Sequence, residues 1–255
     1  MNIDWNAQEY LQDFSFVPRY GEDVLNLLDA HAGSHVIDLG CGNGMLTKRL
    51  SEMGLNVTGI DASEDMLGIA RSRYPELAFI KSDALDFTLN QPVDAVFSNA
   101  VFHWIDENKQ PVLLRQINRA LKPGGELVCE FGGKGCAATV HGALRQSFRK
   151  RGMEYDFPFY FPTIGEYATL LGQNGFKVVY ALLFDRPTAC KNGERGLRNW
   201  VKMFDKQAFR TVDTNTENEI LSEAEQSLNG ILFNNGSWHI DYVRIRLKAI
   251  KEHDI

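Results

Sequence analysis

The sequence is short of everything that would staple, anchor or export it. Its four cysteines (Cys41, Cys129, Cys136, Cys190) form no C-x-x-C pair and have no histidines at zinc spacing. Neither a disulfide framework nor a metal site is indicated, and the thiols read as free. No apolar run approaches the roughly 18 residues of a membrane span, and the opening MNIDWNAQEYLQDF carries acids where a signal peptide would be apolar. These absences predict a cytoplasmic protein without a membrane partner. Positive charge is scarce too: 27 Lys and Arg against 33 Asp and Glu leave a net charge of −6. That excludes the electrostatic footprint of a nucleic-acid binder. The basic run RQSFRKR (Arg145 to Arg151) reads as a solvated helix face.

What is present is a globular composition, 44% hydrophobic over 255 residues, ample for a core without covalent staples. Short apolar runs alternate with helical patterns. HVIDLG (35–40), NVTGID (56–61), LAFIKSD (77–83), VDAVFSNA (93–100) and ELVCEF (126–131) read as strands. GMLTKRLSEMG, the segment capped by Ser63, and the stripe Leu113, Leu114, Ile117, Ala120, Leu121 read as helices between them. Near-continuous apolar strands joined by helices predict an α/β fold, a doubly wound and mostly parallel sheet covered on both faces.

Beyond residue 131 the pattern changes. Pro158 and Pro162 interrupt an aromatic-rich stretch, KVVYALLFD (177–185) reads as a sixth strand, and residues 193–230 are polar and helical. DYVRIRLKAI alternates apolar and polar residues, which predicts a half-exposed antiparallel strand at a sheet edge. The N-terminal stretch around Pro18, Tyr20, Val24, Leu27 and Leu28 has helical spacing.

The turn VIDLGCGNG carries the chemistry. It lacks the Gly-Lys-Ser/Thr of a triphosphate-binding loop. It also lacks the third glycine of a dinucleotide fingerprint, having Met45 there. Asp38 sits two residues before Gly40, where a carboxylate repels a pyrophosphate but attracts a sulfonium or an α-ammonium. Asp61 ends the second strand, where a carboxylate accepts ribose hydroxyls. Asp83, read as ending the third strand and followed by Ala84, can accept from an adenine amino group. An NAD-dependent oxidoreductase is therefore the weaker reading.

In order, VIDLGCGNG, GIDASEDMLGIAR, SDALDF, VDAVFSNAVFHW and LKPGGEL resemble the motifs of class I S-adenosylmethionine-dependent methyltransferases, nearest to the trans-aconitate methyltransferase-like subgroup. The resemblance implies a Rossmann-like sheet of seven strands with the last antiparallel, and a helical and aromatic insertion. It implies S-adenosylmethionine as cofactor and S-adenosylhomocysteine as product. Gly40 and Gly42 would let the backbone approach the methionine portion, Asp38 would anchor the ammonium, and Asp61 the ribose. Ala62 and Met66 would line the adenine, Asp83 and Ala84 would hold its edge, and Asn99 would face the methionyl carboxylate. Asn43 departs from the usual Thr.

Three segments of one domain are expected: 1–34 covering the cofactor, with Tyr10, Phe14 and Arg19 closing over it; 35–135 as the cofactor-binding core; and 136–255 completing the sheet and housing the acceptor. In place of the Asn/Asp-Pro-Pro-Tyr/Phe turn of amide and base methylation stands SNAVFHW, which disfavours those acceptors. His103, as base or hydrogen-bond donor, and Trp104 are the candidate catalytic residues; packing of His103 on Trp104 without chemistry is the alternative. Glu130 and the glycines of 132–135 are expected at the same rim. Tyr155, Phe157, Phe159, Tyr160 and Phe161 either roof an acceptor pocket or form the insert's core. The expected function is methyl transfer to a small-molecule acceptor, an acid or a hydroxyl compound, by a monomer or weak homodimer. The alternative is a non-catalytic protein that binds or senses the cofactor.

Overall fold

A computed structural model describes residues 23–252. The expected helix through Pro18 and the covering residues Tyr10, Phe14 and Arg19 lie, wholly or largely, outside that range. Strands β1 (His35–Leu39), β2 (Asn56–Asp61), β3 (Ala78–Lys81), β4 (Val93–Asn99) and β5 (Leu121–Gly132) run parallel, joined through α1 (Met45–Glu52), α2 (Glu64–Arg73) and α3 (Gln110–Ala120). β1 and β4 are almost wholly buried, which is why they read as unbroken apolar runs. Ser63 caps α2, accepting from the Met66 N–H, with Glu64 and Asp65 in the first turn and Arg71 and Arg73 in the last, all complementary to the helix dipole.

The remainder holds α4 (Ala138–Lys150), α5 (Ile164–Gln173), β6 (Phe176–Ala189), α6 (Gly196–Phe204), α7 (Thr214–Leu232), the two-residue β7 (Phe233–Asn234) and β8 (Ser237–Lys251). Pro158 and Pro162 leave 153–163 without regular structure, and α5 starts directly after them on a Thr163/Glu166 capping box. β7 and β8 form a hairpin through Asn235 and Gly236, both at positive φ as a two-residue turn with right-handed strands requires.

The sheet order is β3-β2-β1-β4-β5-β8-β6, with β7 paired to β8. The chain reverses direction across the sheet between β1 and β4, so a crevice opens at their C-terminal ends. β8 is antiparallel as expected, but it lies between β5 and β6 and is no edge strand. Its alternation separates two buried environments. Ile245, Leu247 and Ala249 enter an apolar core under α3 and α5, while Arg244, Arg246 and Lys248 meet carboxylates of β5 on the opposite face. Lys248 bonds Glu126, which also accepts the Asp29 and Ala30 N–H groups and so ties the segment before β1 to the sheet.

A further apolar cluster gathers Trp104, Val140, Leu144, Trp200 and Leu228 against Trp238 at the start of β8. The basic run on α4 is matched by α7: Arg151 bonds Glu219 at 3.1 Å and Glu223 at 2.8 Å. No described helix is long and apolar enough to cross a membrane.

Candidate active site

Asp38 is 1% exposed, near the end of β1, and accepts from the Thr47 hydroxyl of α1 at 2.7 Å. Burial pushes its carboxyl up to about 7; the Thr47 bond opposes this and the Asp61 charge adds to it. The turn that follows needs glycine for two distinct reasons. Gly40 (φ +78) passes so close to Val101 that a Cβ would fall 2.2 Å from Val101 Cγ2. Gly42 (φ +53) turns its N–H onto Asp61 Oδ2 at 2.8 Å and faces the Met66 methyl. Asn43 precedes the Gly44 N-cap of α1, its side-chain oxygen accepting from the Met45 N–H two residues on, as short polar residues do in turns.

Asp61 closes β2, buried, with its second oxygen accepting from the Ser63 N–H at 2.8 Å. These backbone donors do not exhaust the lone pairs of the two oxygens, so the carboxylate can accept a further hydrogen bond. Burial raises its pKa, against hydrogen bonds from Ser63, Gly42 and Ala62. Gly42, Asp61, Ala62 and Met66 are therefore gathered in one place. Asp83 differs from expectation: β3 ends at Lys81, and Asp83 lies two residues beyond in an exposed turn, accepting from the Leu85 N–H. The short, half-exposed strand stops early, and Ser82 bonds the Asp61 carbonyl instead of extending the ladder. Ala84 beside it is buried.

Asn99 ends β4 on the same face as Asp38, because registered neighbours alternate together. Its Oδ1 is buried without a partner. Ala100 follows at φ +62, a strained conformation for a residue with a Cβ. The next turn carries His103 and Trp104, rings 5.1 Å apart. His103 Nδ1 accepts the Gly132 N–H at 3.2 Å, so the ring proton sits on Nε2. Burial, with Arg244 nearby, holds its pKa well below the usual range, leaving a neutral ring. Trp104 packs against Phe159 at 4.8 Å and belongs to the second apolar cluster. The aromatic stretch is anchored here: the Tyr160 N–H donates to the His103 carbonyl, and Phe161 lies over Gly132.

Glu130, expected at this rim, has partners that local pattern concealed. Its side chain is fully buried, bonded twice by Arg186 (2.5 and 3.1 Å), by Arg246 Nη2 at 2.7 Å and by Arg244 Nε at 3.5 Å. The guanidinium side chains are 10–12% exposed, and Arg186 and Arg246 also stack on Phe184. Register places Glu130 beside Asn99 on one side and Arg246 on the other. The alternation of DYVRIRLKAI puts Arg244 and Arg246 on the face expected to meet solvent, whereas here both are buried against Glu130.

A methyltransferase-domain model matches residues 36–125, the segment that supplies β1 to β4, the start of β5 and this turn. A putative methyltransferase of Bacillus halodurans C-125 has the same fold, with a TM-score of 0.62 over 91% of this chain and 98% of its own, at 17% identity. The chain is a class I S-adenosylmethionine-dependent methyltransferase. An uncharacterized methyltransferase of Schizosaccharomyces pombe is 29% identical to it across 97% of this chain and 98% of its own length. A trans-aconitate 2-methyltransferase of Azoarcus sp. is 34% identical over 129 residues, half of each protein. A Haemonchus contortus phosphoethanolamine N-methyltransferase, solved with S-adenosylmethionine, shares the fold at a TM-score of 0.56 and 20% identity, over 92% of this chain and 53% of its own.

S-adenosylmethionine is the methyl donor of this class, and the residues present suit it. Asp61 has the spare acceptor capacity a ribose diol needs. The orphaned Asn99 oxygen calls for a donor, which an α-ammonium provides and a carboxylate does not. The doubly acidic crevice of Asp38 and Asp61 favours a cation.

Proposed function

We propose that this methyltransferase acts on a small acid, methylating a carboxylate oxygen. The carrying observation is the Glu130 cluster: the guanidiniums of Arg186, Arg244 and Arg246 converge on one buried carboxylate at the rim that holds Asn99. Arg pairs carboxylates in bidentate geometry, and such a concentration of guanidiniums suits an acceptor bearing two or more carboxylates. The partial similarity to enzymes named for trans-aconitate, a tricarboxylate, supports this reading.

Bound S-adenosylmethionine supplies an electrophilic methyl group on a positively charged sulfur. Asp61 would hold the ribose, Asp38 and Asn99 the ammonium end, Met66 and Ala84 the adenine, and Asp83 its edge from the adjoining turn. Asn99 is assigned to the ammonium and not to the methionyl carboxylate, since its unpaired atom is an acceptor. On the acceptor side a carboxylate is ionised at pH 7 and needs no base. That agrees with His103, whose Nδ1 lone pair is engaged by Gly132 and whose Nε2–H can only donate. His103 would orient the anion and Trp104 would wall the pocket with Phe159. Residues 35–135 form the cofactor half of this assignment, 136–255 the acceptor half, and 1–34 its cover.

The test is a panel of mono-, di- and tricarboxylic acids, alcohols and amines with methyl-labelled donor. Labelled product from polycarboxylic acids, with an Arg244→Met variant raising KM at least tenfold, supports the proposal. Turnover of neutral alcohols or amines alone would reject it.

A further inference from the structure

A second polar cluster lies beyond the aromatic stretch. Tyr155 donates its hydroxyl proton to Asp205 Oδ2, and its oxygen then faces His141 Nδ1 at 2.6 Å. The same Nδ1 is 3.4 Å from Asp205 Oδ2. With the only hydroxyl proton spent on Asp205, Nδ1 must carry the hydrogen, and in that tautomer Nε2 is a bare acceptor. That atom is buried and has no hydrogen-bond partner; neither has Asp205 Oδ1. The His141 and Asp205 side chains are 4% and 0% exposed, so water does not satisfy them from bulk.

The ring of His141 sits among aromatic faces: Phe157 edge-on at 4.9 Å, Phe159 at 5.4 Å, Trp200 at 5.7 Å and Phe161 at 6.4 Å. Phe159 and Phe161 are stacked at 5.2 Å, and their other neighbour is His103, at 6.3 and 5.9 Å. One stacked pair thus separates the two histidines, and their exposed valences are opposite. His103 offers a proton; His141 asks for one. Phe157 is 36% exposed and stands on the segment without regular structure, so its ring is the element that can swing aside.

A buried acceptor lined by aromatic rings, with a second buried acceptor on the neighbouring Asp205, fits a hydroxyl or a protonated amine, whose C–H framework lies on the rings and whose donor reaches the polar end; a cation gains further from the ring faces. We infer that His141 and Asp205 form the far end of the acceptor pocket and recognise an O–H or N–H donor group of the acceptor. This rests on reading the aromatic stretch as the acceptor pocket's wall, but not on the acceptor being an acid.

Benzyl alcohol, benzylamine and benzyl methyl ether, titrated into the protein saturated with S-adenosylhomocysteine, test it. Binding is followed by Trp fluorescence and by the His141 Nε2 resonance in nitrogen-15 NMR. The alcohol or the amine should bind at least tenfold more tightly than the ether and shift that resonance, and His141→Phe should erase the preference while leaving ether binding intact. Should His141→Phe not fold, Asp205→Asn keeps the histidine and should selectively weaken the amine. Equal binding of the three probes, or an unmoved Nε2 resonance, overturns the inference. A blank acid panel with these probes still bound would instead fault only the carboxylate assignment.

Discussion

Lowering the pH from 8 to 6 should weaken S-adenosylmethionine binding about tenfold, and Asp38 is the reason. Its carboxyl, lifted to about 7 by burial, is mostly ionised at pH 8 and mostly protonated at pH 6. If the cationic cofactor binds the ionised form, affinity follows the ionised fraction, a change of about 1.4 kcal/mol per tenfold. The same shift acts on stability with a definite sign. A carboxyl whose folded pKa is raised binds its proton more tightly in the folded state. The stability it contributes is complete below about pH 4 and is lost as the pH climbs to 7, at up to about 1.4 kcal/mol per unit. Calorimetric titration in two buffers of different ionisation enthalpy reads both affinity and proton release. Wild type should release a fraction of a proton on binding near pH 6.5. Asp38→Asn should release less and should bind with an affinity that no longer follows this titration. Affinity in the wild type that is flat from pH 6 to 8, or a variant that keeps the full dependence, would refute the assignment.

Asp61→Ala should lower cofactor affinity at least tenfold, since it removes the ribose acceptor and frees the Gly42 and Ser63 N–H groups; calorimetry with S-adenosylhomocysteine measures it. Gly40→Ala places a methyl group on Val101 at positive φ, and should cost about 2–4 kcal/mol from overpacking and left-handed strain together. A second Val101→Ala change should recover only the packing share in urea unfolding. Glu126→Ala leaves Lys248 without its carboxylate on the sheet and strips the Asp29 and Ala30 N–H groups, a loss of about 3 kcal/mol seen as a lower urea midpoint with turnover per folded molecule retained. His103→Gln, which can still donate, should retain more turnover than His103→Phe, and steady-state KM for the acid should separate the two.

The parallel strands and their glycine turn are readable from the sequence because their signals are local. β1, β2 and β4 are covered on both faces, so they appear as apolar runs, and the glycine turn and Asp61 stand at their ends. β8 was read onto the sheet edge because Arg244, Arg246 and Lys248 alternate with apolar residues. The carboxylates that bury them, Glu130 and Glu126, lie more than a hundred positions away in sequence, out of reach of any periodicity. Asp83 was read one strand-step too far inward because β3 is short and half exposed. The role of His103 turned on a backbone N–H from Gly132, which no spacing rule supplies. The Asn235-Gly236 hairpin, by contrast, had a legible signal that the polar surroundings masked.

The bond formed on the acceptor tests the central claim most directly. Label transferred from S-adenosylmethionine to a polycarboxylic acid should be released as methanol by mild alkali, as a methyl ester requires. Label that resists alkali, as on an ether or an amine, would contradict the account.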